Sequence, residues 1–325
     1  MTSESVPDFP LDPETYIFYV PAPGRCVEVG AEGLQVRLPQ IPLPVMREDM
    51  GKSEESVPSD DLIGKGIYDY LRQFPDCPLN VSYAELMRDA YPHFLADLGA
   101  QIAMLDYKEV DAPYVRRKVT LMKILALLEP QNPRLLASVG RASYELGMMF
   151  AELPHCRRHL LTAMGYLHRA LKLAPGDIAS HNILGQIDYY FGDYPSATQH
   201  WRQVSAGLND PTLAEAFAAR IAAMETEIAP DHPLLDDLEA IGEALVAYGE
   251  GEIEAAMEIL ERLEEQTSVA EELASPQFYY LLGMCRARSG NLGGAFAAFE
   301  QALEFDPEYQ PAIEGKECIL EGKEF

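Results

Sequence analysis

The chain is poor in the residues that most covalent staples and chemistry-bearing motifs need. Its five cysteines, Cys26, Cys77, Cys156, Cys285 and Cys318, are odd in number and never spaced as CxxC. That excludes a disulfide framework as the organising device, and the thiols read as buried or free in a reducing compartment. Basic residues are also short, with 25 Lys+Arg against 52 Asp+Glu and a net charge of −27. Nucleic acid and anionic membranes both reward basic surface, so neither is expected as a partner. No apolar run approaches the roughly 18 residues of a membrane-spanning helix. The opening residues Met1-Thr2-Ser3-Glu4-Ser5-Val6-Pro7-Asp8 show no basic stretch followed by an apolar core. No secretory signal is visible there, and a cytoplasmic location is expected. Catalytic signatures are missing too: GxxxxGK with Ser or Thr, GxGxxG, HExxH and GxSxG do not occur. What remains is an ordinary globular composition over 325 residues, 48% hydrophobic, enough for two domains or one repeat array.

The first 80 residues differ from the rest. Tyr16-Ile17-Phe18-Tyr19-Val20, Cys26-Val27-Glu28-Val29 and Leu34-Gln35-Val36-Arg37-Leu38 alternate between Gly and Pro punctuation, which predicts a hairpin or small meander. Pro39, Pro42 and Pro44 should stop it, and Glu48 to Asp61 reads as a polar loop. Two or three strands cannot bury a core alone, so this segment is expected to lean on the helices after it. Gly64-Lys65-Gly66 reads as a flexible entry to a helix at Ile67 to Phe74. From about Ser82 the periodicity is helical, with helices predicted near 83–106, 113–129, 133–152, 155–173, 178–191, 195–207, 211–229, 234–249, 252–266, 276–289, 292–304 and 308–321. The chain is expected to be mainly all-α.

Part of it repeats. From Pro276 on stand Tyr279, Leu282-Gly283, Gly290, Ala295, Phe299, Ala302 and Pro307; from Ile178 on stand His181, Leu184-Gly185, Gly192, Ala197, Trp201, Val204 and Asn209-Asp210-Pro211. The steps from Leu-Gly to Gly, Ala and aromatic are identical. Small residues fall where two antiparallel helices must approach, and large ones where a neighbouring pair is plugged. A third copy has Val139-Gly140, Ala163, Leu167, Ala170 and Pro175, but its Gly140-to-Gly185 step of 45 residues is 11 longer than a 34-residue unit. The surplus lies around Met149 to Arg158, near Pro154. A weaker copy surrounds Gly251, Ala256, Leu260 and Leu263, with Ala244 in place of the glycine.

This spacing resembles the tetratricopeptide repeat family over about residues 130–310. The resemblance implies a solenoid of helical hairpins preceded by a small β-containing segment. The expected division is 1–80 for the β-hairpin and loop segment, 81–229 for a first repeat sub-array capped by Leu213 to Ile228, and 233–325 for a second sub-array capped by its C-terminal helix, with Ala229-Pro230-Asp231-His232-Pro233 as a stiff joint. It also implies a protein-interaction scaffold or adaptor without enzymatic activity, receiving a peptide or partner protein on the concave face lined by first helices. Projecting the family's groove positions gives Arg134, Ser138, Arg141 and Tyr144, then Asn182, Gln186 and Tyr189, then Tyr280, Met284 and Arg288. Of these, Arg134, Arg141, Asn182, Gln186 and Tyr189 are the candidate partner-binding residues. The family's carboxylate clamp for a chaperone tail is not expected, because Ala137, Arg141, Ile183, Gln277 and Leu281 occupy its places. Two alternatives stay open: a dedicated chaperone or regulatory subunit acting through the N-terminal segment, and an enzyme with an unrecognised site between residues 16 and 110.

No cofactor, metal or catalytic residue is expected. His155, Cys156 and His159 could share a helix face, but Arg157 and Arg158 would repel a cation, and a solvent-facing first turn is the plainer reading. His168, His181 and His200 read as packing or groove-lining residues, and Asp236-Asp237 and Glu264-Glu265 as solvated helix faces. Charge is uneven. Residues 111–175 carry 10 basic and 4 acidic side chains, whereas 227–325 carry 5 and 23. Either the basic middle balances the protein's own carboxylates, or it docks an acidic peptide or partner. Guanidinium forks at Arg134 and Arg141, with donors from Asn182 and Gln186 and a Tyr189 platform, would suit the second.

Overall fold

The computed structural model describes residues 15–30, 33–50, 57–106, 111–208, 210–226, 232–266, 272–323 and 325. The chain forms two compact units, Met1–Val139 and Gly140–Phe325.

In the first unit, β1 (Tyr16–Tyr19) pairs antiparallel with β4 (Leu43–Met46), and β2 (Cys26–Val29) with β3 (Leu34–Arg37). Of the expected hairpin or small meander, β2 and β3 form a hairpin while β1 pairs with β4 in a separate ribbon, and Pro44, expected to stop the strands, lies inside β4. That strand is paired on one side only, the setting in which a strand tolerates proline. Of the expected polar loop, residues 51–56 lie outside the described residues. α1 (Asp60–Gln73) begins at Ser59, whose hydroxyl accepts from the Leu62 N–H, with Asp60 and Asp61 in the electropositive first turn. Gly64 and Gly66 are thus interior helical residues, not a flexible entry. A Cβ on Gly66 would stand 2.2 Å from the Pro44 carbonyl oxygen, and one on Gly64 would stand 2.6 Å from the Tyr91 ring. The glycines let α1 lie directly on β4 and on Tyr91.

The predicted helix 83–106 is two, α2 (Asn80–Ala90) and α3 (Pro92–Asp106), because Pro92 lacks an N–H and forces Tyr91 out of helical backbone. α4 (Ala112–Leu128) completes this unit's helices before the boundary. Leu43, Val45, Ile67, Met87, Leu121 and Ile124 belong to one buried cluster, so the strands lean on the helices as expected.

The second unit takes up the repeat. α5 (Pro133–Gly147) spans the boundary. Then come α6 (Cys156–Leu173), α7 (Ile178–Tyr190), α8 (Tyr194–Gly207), α9 (Pro211–Glu225), α10 (Leu234–Glu250), α11 (Ile253–Glu264), α12 (Pro276–Arg288), α13 (Leu292–Phe305) and α14 (Gln310–Glu321). Side chains of Asp177, Asp193, Asp210, Ser275 and Asn291 cap the helices that follow them. The corners α7–α8, α10–α11 and α12–α13 close alike. Gly192, Gly251 and Gly290 have φ of 75°, 85° and 84°, and Asp193, Glu252 and Asn291 each donate their N–H five residues back at 2.8 Å. Only glycine adopts that backbone freely.

The α5–α6, α7–α8 and α12–α13 hairpins are each pinned by a glycine against a large side chain, while α10 has Ala244 at that place. A Cβ on Gly140 would meet Leu167 at 2.6 Å, one on Gly185 Trp201 at 2.5 Å, and one on Gly283 Phe299 at 2.5 Å. The 11-residue surplus shortens the predicted 133–152 helix to α5 and becomes a 3-10 turn, Phe150–His155. α10 packs on that turn: Gly242 faces the Leu153–Pro154 backbone, which a Cβ would meet at 2.6 Å. One buried cluster runs from Leu153 through Trp201 and Leu238 to Ala312, so the later helices of the first expected sub-array share a core with the second, whereas its residues 81–139 fall in the first unit. Of the expected cap and joint, residues 227–231 lie outside the described residues.

Candidate partner-binding surface

α5 and α7 supply the expected site residues. Spacing on α5 puts Arg134 and Arg141 two turns apart on one helix. The unit boundary falls between them, Arg134 in the first unit and Arg141 in the second. Both side chains are exposed, and neither makes an ion pair among the described residues. Asn182 is exposed on α7. Gln186 is half-buried and hydrogen-bonded to Tyr190, which also bonds Tyr144 of α5. Burial holds the Tyr144 and Tyr190 hydroxyls above their ordinary range, so both stay neutral hydrogen-bonding groups.

Tyr189 differs from expectation. It is buried rather than presented as an open platform, with its ring 5.6 Å from Tyr194 and 5.7 Å from Trp201. The guanidinium of Arg220, from α9, lies 4.7 Å from the Tyr189 ring centre and 4.5 Å from that of Trp201. The Tyr189 hydroxyl donates to Glu272 at 3.0 Å, and the second Glu272 oxygen stands 3.7 Å from Arg220. Glu272 therefore brings a carboxylate of the chain's own to the aromatic and guanidinium groups of α7 and α9. Beside it opens a cavity of about 410 Å³ lined by Met148, Met149, Phe150, Leu153, Leu238 and Ile241, with Glu272 and Leu273 at its wall. Neither Arg220 nor Glu272 was legible in the sequence, because they stand 31 and 83 residues from Tyr189 and no repeat position marks them.

Several other arginines are engaged, while exposed Arg158 makes no ion pair among the described residues. Arg157 forms a fork with Glu239 at 2.7 and 2.5 Å, with Asp236 at 3.5 Å. Arg117 donates to Gln101 at 2.6 Å, Arg202 pairs with Glu225, and Arg286 pairs with Glu264 at 2.6 Å. Asp237, expected on a solvated face, is buried with both carboxylate oxygens 2.9 Å from the His232 ring nitrogen; a histidine five residues upstream was the available signal.

His155, Cys156 and His159 do not converge. Cys156 and His159 face inward, not into solvent; burial pushes the thiol up to about 11, and His159 pairs with buried Glu152 at 3.1 Å. Among the described residues of 16–110, one polar constellation centres on Tyr68, whose hydroxyl donates to Asp97 at 2.5 Å and accepts from Gln101 at 3.0 Å. Burial pushes Tyr68 up to about 12, which suits a structural hydrogen bond better than a nucleophile.

Comparison with known proteins bears on the repeats. A family model for the tetratricopeptide repeat matches residues 276–309, the hairpin of α12 and α13. Among solved structures, a thermophilic tetratricopeptide-repeat protein of Thermus thermophilus aligns at 16% identity over 70% of this chain and 98% of that one, with a TM-score of 0.26. No curated protein matches the chain.

Proposed function

We propose that the chain is a non-enzymatic scaffold or adaptor that binds a peptide or partner protein on the concave face of its helical repeats, in the cytoplasm. Repeats of this family bind proteins or peptides as a class, and the segment that matches it anchors that general reading. The carrying observation is Arg141. In a chain with 52 acidic residues it stays exposed and unpaired among the described residues, as do Arg134 and Arg158 of the basic middle, while Arg157, Arg202, Arg220 and Arg286 all have carboxylate partners. This favours docking over internal charge balance. Glu272 and Leu273 indicate the partner's chemistry: a carboxylate to meet guanidinium and tyrosine, next to an aliphatic side chain for the methionine-lined cavity. An acidic partner would be repelled by most of this molecule and drawn to the basic middle.

The test is charge reversal, Arg141→Glu and, separately, Arg134→Glu, followed by capture from a native lysate at low salt and by thermal melting. Capture lost in Arg141→Glu with an unchanged melting temperature is the expected result; unchanged capture overturns the reading. A single stoichiometric partner would place the chain as a dedicated chaperone or regulatory subunit rather than a general adaptor.

A further inference from the structure

Three histidines, none of them on the Arg141 surface, gather from three consecutive helices: His168 of α6, His181 of α7 and His200 of α8. The Nδ1 atoms of His181 and His200 face each other at 2.8 Å, and the ring centres are 5.1 Å apart. His168 stands with its ring centre 6.1 Å from that of His200. The far side of each inner ring is engaged. His181 Nε2 lies 3.0 Å from the Pro175 carbonyl oxygen, which accepts only, so Nε2 carries the proton and Nδ1 of the neutral ring is bare. His200 Nε2 points toward Asp188, whose carboxylate oxygen is 3.7 Å away.

We infer that His181 and His200 form the fixed half of a binding site for a late first-row divalent metal ion such as zinc, ligating through their two Nδ1 atoms.

Several features carry this. Two imidazole nitrogens bound to one ion at about 2.0–2.1 Å stand about 3 to 3.4 Å apart, so the observed pair needs to open by only about half an ångström. A ligating histidine ordinarily has its other nitrogen held by a carbonyl or carboxylate, which sets the tautomer and ring direction. Here Pro175 does this for His181. His200 Nδ1–H donates to His181 Nδ1 in the metal-free protein, and its proton would pass to Nε2, toward Asp188 3.7 Å away, as a metal displaces it. Imidazole donors without a thiolate select zinc, copper or nickel over calcium or magnesium.

Among the described residues, no three His, Cys, Asp or Glu side chains stand in metal-holding geometry. The inner pair therefore supplies two ligands, and the remaining positions fall to solvent and to the exposed His168, whose ring centre lies 6.1 Å from that of His200. The site is built on already folded hairpins, so metal adds to stability without being required for folding.

The experiment titrates the untagged, chelator-stripped full chain with zinc chloride by calorimetry near pH 7.5, and with cobalt chloride by visible absorption. One saturable equivalent is expected, with a cobalt spectrum free of thiolate charge transfer. His181→Ala and His200→Ala should each weaken zinc at least tenfold, Asp188→Asn by about 10-fold or more through loss of ring orientation, and His168→Ala less. His155→Ala should bind as the unaltered chain does. If an alanine variant fails to fold, nitrogen-15 shifts of the histidine rings in the unaltered protein decide instead, because zinc should move Nδ1 of residues 181 and 200, move His168 less, and leave His93, His155, His159 and His232 in place. No saturable binding, unaltered affinity in His181→Ala, or ring shifts centred on histidines other than 168, 181 and 200 would overturn the assignment.

Discussion

The single tryptophan shows how far one residue can be read without coordinates. Its place in the repeat marks Trp201 as a plug and Leu184, Gly185 and Ala197 as its socket, and all four are buried, with Trp201 1% exposed. Trp201→Ala is expected to cost about 3–5 kcal/mol. Gly185→Leu, which drives a side chain into the indole, should cost about 1–3 kcal/mol. Denaturant melts followed by circular dichroism check both, and emission of the folded protein should be that of an indole out of water. The neighbouring Tyr189 departs from expectation because a repeat position fixes which way a side chain points, not what later covers it. Arg220 and Glu272 cover it, and both arrive through tertiary packing. Cysteines follow the same division. Their spacing excludes a disulfide framework but does not rank their reactivity, whereas burial does. Cys26 is exposed, while burial pushes Cys156 and Cys285 up to about 11. At pH 8 in native buffer, a thiol reagent should modify Cys26 first and Cys156 and Cys285 only on unfolding, as mass spectrometry of the labelled peptides would show. Early labelling of Cys285 would mean that the α12 packing is looser than described.

Among elements, helices with strong repeat periodicity were legible, and those built around unusual contacts were not. α12 and α13 were legible almost to the residue because Leu-Gly, Gly, Ala and Phe recur at fixed steps and the corner demands a left-handed glycine. α1 starts well before the expected Ile67, since Gly64 and Gly66 look like breakers locally. Their use is visible only when β4 is laid against them. A helical glycine without such a contact is a simple entropic loss, which gives a pair of substitutions with opposite signs. Gly165 lies in α6, with nothing within 4 Å of the place a Cβ would take, so Gly165→Ala is expected to stabilise by about 0.4–1 kcal/mol. Gly66→Ala gains the same propensity but drives a methyl group against the Pro44 carbonyl, so it should destabilise. Chemical denaturation of the two variants decides it, and a stabilised Gly66→Ala would show that β4 does not rest on α1. β4 itself was not legible, because a proline marks a stop in a strand paired on both sides but not in a ribbon edge.

At the scale of the whole molecule, the fold class followed from periodicity, but the division into units did not, because it depends on which buried residues meet. The large acidic excess was legible from composition, and it makes high pH the hazardous direction. The structure supplies a second reason in the same direction. Burial pushes Tyr16, Tyr68 and Tyr83 in the first unit, and Tyr189 in the second, from 10.0 up to about 12, and Cys156 and Cys285 from 9.0 up to about 11. These groups are neutral when protonated. As pH rises past about 9, the unfolded chain releases their protons first while the folded chain keeps them, so stability falls with each further step of pH. The contribution is fully present below about pH 9 and is lost by about pH 12, in both units. Lysine deprotonation above about pH 10 adds self-repulsion, since the net charge grows more negative. Salt separates the two causes: half-molar sodium chloride screens surface repulsion within a few ångströms but leaves the cost of ionising a buried phenol or thiol. Thermal midpoints by circular dichroism should therefore hold steady to about pH 8.5 and then decline, and most of the decline should survive added salt. A midpoint unchanged to about pH 11, or a decline that salt abolishes, would mean that these tyrosines and cysteines are far more open to water than their packing indicates.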